Sequence, residues 1–167
     1  MTNLVNFLLF QLGWFAAVWG AAHGHLWWGP VAFAVVCLLH VRSVSARGRE
    51  LRYLCVVAGV GILIDTLLHR IGLLRYPTSG DGPLVPAWIA SLWFGFATLP
   101  RYSLGWLAGR PRLAFLLGAI GGPLSFLGGT RLGPVAPGDP AWGTWVALGV
   151  EYAVLTPWML ARVPKGS

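Results

Sequence analysis

Long runs of apolar residues, separated by short polar or basic segments, dominate the pattern of this chain. A helix that crosses the hydrocarbon core of a bilayer needs about 20 mainly apolar residues. The runs predict six spans, near residues 4–22, 26–41, 51–68, 86–107, 113–132 and 142–161. We therefore expect an all-α, polytopic transmembrane helix bundle with short loops, forming one integral membrane domain over residues 1–167. Pro100 and Arg101 interrupt the fourth run, and a five-span arrangement with a re-entrant fourth or fifth segment is the alternative.

The composition excludes a soluble globule. Hydrophobic residues make up 56% of the chain and charged residues 10%, whereas soluble domains carry about 25% charged residues. A disordered chain is excluded too, because disorder requires low hydrophobicity. The net charge of +7 does not indicate nucleic-acid binding, since most basic residues lie between apolar runs, where they orient a chain in a bilayer.

The distribution of the basic residues predicts the orientation of the spans. Six spans place one group of arginines and a lysine on a single side, namely Arg42, Arg47, Arg49, Arg52, Arg110, Arg112, Arg162 and Lys165. The opposite side receives only Arg70, Arg75 and Arg131. Because cytoplasmic loops carry an excess of Lys and Arg, both termini are expected in the cytoplasm.

Away from the span ends, the predicted spans contain the acidic or basic residues Asp65, Arg101 and Glu151. An unpaired charge near the middle of a bilayer costs about 2.5–3.5 kcal/mol, so pairing or protonation is expected. Arg101 is predicted to reach Glu151, and Asn6 and Gln11 enter the same inner half from the first span. We interpret these four residues as a candidate pocket for an anionic head group or substrate. The alternative is a buried polar network that fixes helix register.

A second polar group is predicted near the outer ends of the spans. Asp65 and His69 are four residues apart and share one helix face, and Arg131 reaches the same interface. An ion pair of Asp65 with Arg131 or Arg70 is expected. The chain has no histidine motif typical of a metal site, so we expect neither a metal nor a cofactor.

Small residues recur every four positions in and just beyond the fifth span, at Gly121, Ser125, Gly129 and Gly133. Such stripes let helices approach closely in lipid, so tight packing within the bundle is expected. Homodimerisation is one alternative. The other is a backbone opened at a ligand site, which the adjacent Pro123 also suggests because proline removes a helix hydrogen bond.

Several stretches are typical of a known family, namely Asn6–Phe15, Gly20–Ala21, Ala87–Trp93, Phe96–Leu99, Ser103–Leu107 and Gly118–Ser125. With them the chain resembles an uncharacterised bacterial membrane family, domain of unknown function 2878. The resemblance covers nearly the whole chain in the same order, although Pro100 stands where the family pattern has asparagine. It implies the inner membrane of a Gram-negative bacterium and an association with enzymes that modify membrane fatty acids. It implies no activity.

Three functional hypotheses follow. The leading one is a non-catalytic protein that binds lipid-like molecules or supports a partner enzyme in envelope lipid handling. The others are a small permease with a polar intramembrane site and a membrane-embedded enzyme that uses Glu151 or Asp65. The expected partners are membrane lipids, with a lipid-modifying or other membrane protein and a second copy of the chain as further candidates. Nucleic acid is not expected.

Overall fold

The computed structural model describes residues 1–80 and 82–165. Within them the chain forms six α-helices: α1 (Asn3–Ala22), α2 (Trp28–Arg42), α3 (Arg47–Arg70), α4 (Ala87–Phe96), α5 (Pro111–Leu132) and α6 (Ala141–Arg162). Two short strands, β1 (Leu74–Arg75) and β2 (Ala136–Pro137), pair antiparallel. Two 3-10 turns, Leu99–Arg101 and Gly105–Leu107, join α4 to α5. The predicted all-helical class is confirmed.

Three of these helices, α1, α3 and α5, are long and apolar enough to cross a membrane, and α2 is a shorter apolar helix. Large apolar side chains cover much of the outside of the bundle; Leu12 and Trp142 are each 69% exposed. Contiguous apolar surface of this kind marks contact with a membrane or a partner. The six crossings and their orientation remain predictions.

Proline residues decide where several helices begin and end. Pro111 occupies the first turn of α5, where a missing N–H costs nothing, and Gly133 ends that helix in a left-handed conformation. Pro123 lies inside α5 without ending it. Helix α4 ends at Phe96, four residues before Pro100, because a proline ring clashes with the carbonyl four positions earlier. The predicted fourth span, 86–107, therefore contains a helix of only 10 residues.

Contacts between helices define two ends of the bundle. The strand end carries β1 and β2, which tie the α3–α4 connection to the α5–α6 connection. The arginine end carries Glu50 at the start of α3, Arg101 after α4 and Pro164 after α6, which are joined by hydrogen bonds.

Glycines allow α1, α2 and α4 to pack around one buried aromatic ring, that of Phe33 on α2. A Cβ atom at Gly13 of α1 or at Gly95 of α4 would overlap this ring. Ala17 on α1 packs against Gly29 of α2 in the same way, and it is fully buried. Gly13 and Ala17 of α1 therefore serve packing within the bundle.

Candidate functional site

A cavity of about 520 Å³ lies between α1, α4, α5 and α6. Ligand pockets in proteins usually measure about 300–1,000 Å³. Its wall is mainly aromatic and aliphatic, and the aromatic members are Phe10, Trp14, Tyr76, Trp88, Trp93, Phe96, Phe126 and Tyr152. Four further polar side chains reach it: Gln11, Asp65, Ser125 and Thr156. The arrangement suits an apolar molecule that carries a small polar group.

Both ends of the cavity are closed by the connections between helices. Leu74 of β1, Tyr76 and Val135 cover the strand end. The pairing of β1 with β2 holds them there, and Thr144 strengthens the cover by donating a hydrogen bond to the Leu73 carbonyl. At the arginine end, Leu99, Leu104 and Leu107 of the 3-10 segment form the floor.

The glycine-rich face of α5 serves both packing and the cavity. A Cβ atom at Gly118 or Gly122 would overlap Tyr152 of α6, so these two glycines allow α5 and α6 to pack closely. A Cβ atom at Gly121, by contrast, would meet open space. Gly121, Ser125 and Gly129 of the predicted stripe line the cavity, whereas Gly133 caps the helix.

Asp65 is the acidic residue of the cavity wall. It is buried, and its Oδ2 accepts a hydrogen bond of 2.6 Å from Trp93 Nε1. Trp93 in turn stacks on Tyr152, with ring centroids 5.3 Å apart. Gly61, one turn before Asp65, makes this possible because a Cβ atom there would overlap the Trp93 indole. Asp65 is thereby held at the cavity surface in a fixed orientation.

The predicted outer cluster does not form around Asp65. The ring nitrogens of His69 lie 2.9 and 3.3 Å from the carbonyl oxygens of Leu74 and Gly82, so His69 fixes the α3–α4 connection. Arg70 donates from Nε to the Pro83 carbonyl at 3.0 Å. Arg131 is exposed and forms no ion pair within residues 1–80 and 82–165. The expected ion pair of Asp65 with an arginine is wrong; Trp93 is its partner.

The predicted pairing of Arg101 with Glu151 is also wrong. Arg101 donates from Nε and Nη2 to the two oxygens of Glu50, at 2.9 and 2.5 Å, and from Nη2 to the Pro164 carbonyl. His40 Nε2 lies 2.7 Å from the same carboxylate. The physical reason is the early end of α4, which leaves Arg101 at the arginine end of the bundle rather than inside a continuous helix.

The remaining residues of the predicted pocket are separated from Arg101. Asn6 is fully buried; its amide nitrogen donates to Thr98 Oγ1 at 3.1 Å, and its oxygen accepts from Ser103 Oγ at 2.7 Å. Gln11 lines the cavity. The buried Glu151 carboxylate has no hydrogen-bond partner among the described residues. Of the four residues only Gln11 lines the cavity, so the four form no common pocket.

Sequence reasoning missed Glu50 and His40, which complete the network around Arg101. Glu50 lies one residue before the predicted third span, among basic residues. The available signal was its position as an acidic residue surrounded by Arg47, Arg49 and Arg52. Within the described part of the chain, no three His, Cys, Asp or Glu side chains are arranged to hold a metal ion.

Comparison with known proteins identifies a family but no activity. No curated protein and no solved structure matches this chain. A family described as protein of unknown function (DUF2878) matches residues 3–158, nearly the whole chain. The resemblance expected from Asn6–Phe15 and the later stretches is thus confirmed, and the chain belongs to the DUF2878 family.

Proposed function

We propose that this protein binds a lipid-like amphiphile in the cavity between α1, α4, α5 and α6, without catalysis, as a component of envelope lipid handling. The observation that carries the proposal is the cavity itself: about 520 Å³, walled by aromatic and aliphatic side chains with few polar atoms. Such a site favours a molecule that is mostly hydrocarbon, because burial of apolar surface provides the main attraction.

The chemistry of the wall supports binding rather than catalysis. General acid–base catalysis needs a group that is free to exchange a proton with the substrate. The acid of the cavity, Asp65, accepts a hydrogen bond from the Trp93 indole. The hydrogen-bonded pair His40–Glu50 is fully buried at the arginine end, and Arg101 donates hydrogen bonds to both oxygens of the Glu50 carboxylate. Neither arrangement presents an activated nucleophile to the cavity.

A proton- or cation-coupled permease is a second candidate, and Glu151 is the observation that favours it. This carboxyl group is buried on α6, and neither of its oxygens has a hydrogen-bond partner among the described residues. Ionisable groups of this kind inside membrane segments often mark proton or ion pathways. Under this alternative, Glu151→Gln abolishes transport while the protein still folds and accumulates.

Gly121→Phe provides a direct test of the binding proposal. Gly121 lines the cavity and a Cβ atom there meets no other atom within 4 Å, so a large side chain at this position obstructs the site without striking the backbone. Gly59→Phe is the matched control, because Gly59 is an exposed glycine of α3 whose Cβ also meets open space and which does not line the cavity.

The assay is native mass spectrometry of both variants and the wild type, mildly solubilised from their own membranes. We expect one lipid-like molecule to accompany the wild type and Gly59→Phe and to be absent from Gly121→Phe. Retention of the molecule by Gly121→Phe would place its site elsewhere. A wild-type protein that carries only exchangeable bulk lipid would contradict the proposal and favour the permease.

We further propose six crossings of a bacterial inner membrane with both termini in the cytoplasm. The support is the excess of basic residues at the arginine end, which the positive-inside rule assigns to the cytoplasm. A reporter that is active only in the periplasm tests this when fused after the last residue of the chain. We expect it to be inactive there, and activity would contradict the orientation.

A further inference from the structure

The cavity opens sideways, between α1 and α5. The exposed residues among those that line it all lie on two helices: Gln11 on α1, and Leu117, Gly121, Leu124 and Ser125 on α5. The lining contributed by the other elements is buried or half-buried, which places the opening between α1 and α5. The two ends of the cavity are covered, so this gap faces the surface on which large apolar side chains are exposed.

One contact bridges this gap. The indole Nε1 of Trp14 donates a hydrogen bond of 3.0 Å to Ser125 Oγ. The same indole passes close to Gly128, where an added Cβ atom would lie 3.2 Å from the ring. The bond is exposed and joins two side chains, so it breaks without unfolding either helix. We call Trp14 and Ser125 the latch, and the gap that they bridge the portal.

The portal also holds an unusual polar group. Gln11 lies three residues before Trp14, on the same face of α1, and it is exposed near the middle of that helix. An amide that faces hydrocarbon without a partner is costly, because water is absent there. A bound molecule with a hydrogen-bonding head group removes this cost, since the amide both donates and accepts.

The charge of the wall restricts the head group. No arginine, lysine or histidine is among the described residues that line the cavity, and its one acidic residue is Asp65. A phosphate or sulfate would therefore enter without a counter-charge and would meet a carboxyl group. A neutral hydroxyl or amide carries no net charge, so it enters the cavity without this electrostatic cost. The sequence-based expectation of an anionic head group at Arg101 is replaced by a neutral one at the portal.

We propose that a neutral single-chain amphiphile, such as a long-chain alcohol, enters the cavity from the bilayer through the portal, and that the latch controls its exchange. The hydrocarbon tail occupies the aromatic cavity, and the hydroxyl group bonds to the Gln11 amide. This inference rests on the proposed function, because it names the ligand class and the route for the same cavity.

The test uses hexadecanol that carries a diazirine in its chain, added to vesicles that contain the protein and activated by light after increasing delays. The fraction of protein labelled at long delay reports occupancy, and its rise reports entry. Ser125→Ala and Trp14→Phe each remove the latch hydrogen bond. Because one such bond is lost, we expect entry to become about two- to tenfold faster with labelling still confined to α1, α4, α5 and α6.

The matched control is Ser79→Ala. It removes a similar hydrogen bond, of 2.9 Å, that Ser79 accepts from the Trp88 indole away from the portal. We expect entry at the wild-type rate. Hexadecyl phosphate with the same diazirine is the control for charge, and we expect little labelling of the cavity by it.

The outcomes distinguish the two proposals. Absence of hexadecanol labelling at the cavity in the wild type would overturn the proposed function and this inference together. Labelling with equal rates in the wild type, Ser125→Ala and Trp14→Phe would overturn the latch alone. Equal labelling by the alcohol and the phosphate would overturn the neutral head group and leave binding intact.

Discussion

The ion pair of Arg101 with Glu50 gives the sharpest prediction for stability. The Glu50 side chain is 1% exposed and that of Arg101 is 15% exposed, and two hydrogen bonds join them. Removal of one partner from a buried pair costs about 3–5 kcal/mol, because the other charge remains buried without compensation. We therefore expect Arg101→Met to lower the free energy of unfolding by about that amount.

The double variant Glu50→Met/Arg101→Met removes both charges, so it should recover much of the loss. Recovery is incomplete, because His40 also loses its partner on Glu50. Arg131→Met is the control, since Arg131 is exposed and forms no ion pair within the described residues.

Thermal unfolding in detergent, followed by tryptophan fluorescence, provides the measurement. For a chain of this size, about 1 kcal/mol corresponds to roughly 2–4 °C, so Arg101→Met should melt roughly 6–20 °C below the wild type. A second cycle pairs Arg101→Met with Glu151→Gln, and here the effects of the two substitutions on the free energy of unfolding should add, because the two residues do not contact each other. Two results would refute the reasoning. One is non-additivity of Arg101→Met with Glu151→Gln but not with Glu50→Met. The other is a decrease in the melting temperature of Arg101→Met that is no larger than that of Arg131→Met.

Three further predictions concern buried groups, and the same melting assay checks them. Gly61→Ala should cost about 1–3 kcal/mol because its Cβ displaces the Trp93 indole, whereas Gly59→Ala should cost less, since its Cβ meets open space; equal losses would contradict the packing. Asn6→Leu should cost about 1–3 kcal/mol, because the four hydrogen bonds of its amide are lost. Glu151→Met should raise the melting temperature, since it removes a buried carboxyl group with no partner among the described residues; destabilisation would reveal a missing partner.

The hydrophobic pattern predicted most helices well, because a run of apolar residues is sufficient to indicate a membrane-type helix. The first predicted span, 4–22, differs from α1 by one residue at its start, and 142–161 differs from α6 by one residue at each end. The fourth predicted span, 86–107, coincides with an α-helix only over Ala87–Phe96, because hydrophobicity continues beyond Pro100 while the helix does not. The apolar content of a segment indicates whether it lies in the membrane or in water. Whether the segment is helical depends on its backbone geometry as well.

The candidate site was predicted less well, for a related reason. The prediction that Arg101 reaches Glu151 assumes that a helix continues through Arg101, so the early end of α4 changes both the depth of Arg101 and its partner. Partners across a bundle also depend on how each helix is rotated, which neither spacing nor composition determines. Trp14 and Ser125 belong to no chemical motif, and only the packing of α1 beside α5 brings them together.

The size and the opening of the cavity favour its occupation by a molecule from the bilayer. Its volume of about 520 Å³ is that of a typical ligand pocket, and the exposed residues of its lining lie on α1 and α5. An apolar wall without atoms opposite it loses dispersion contacts. The bundle cannot shrink to remove the space, because Gly118 and Gly122 fix α5 against Tyr152 of α6, and the strands hold the connections above it. A hydrocarbon chain that enters from the bilayer restores the lost contacts. The same glycines that pack α5 against α6 thereby maintain a space that an amphiphile fills.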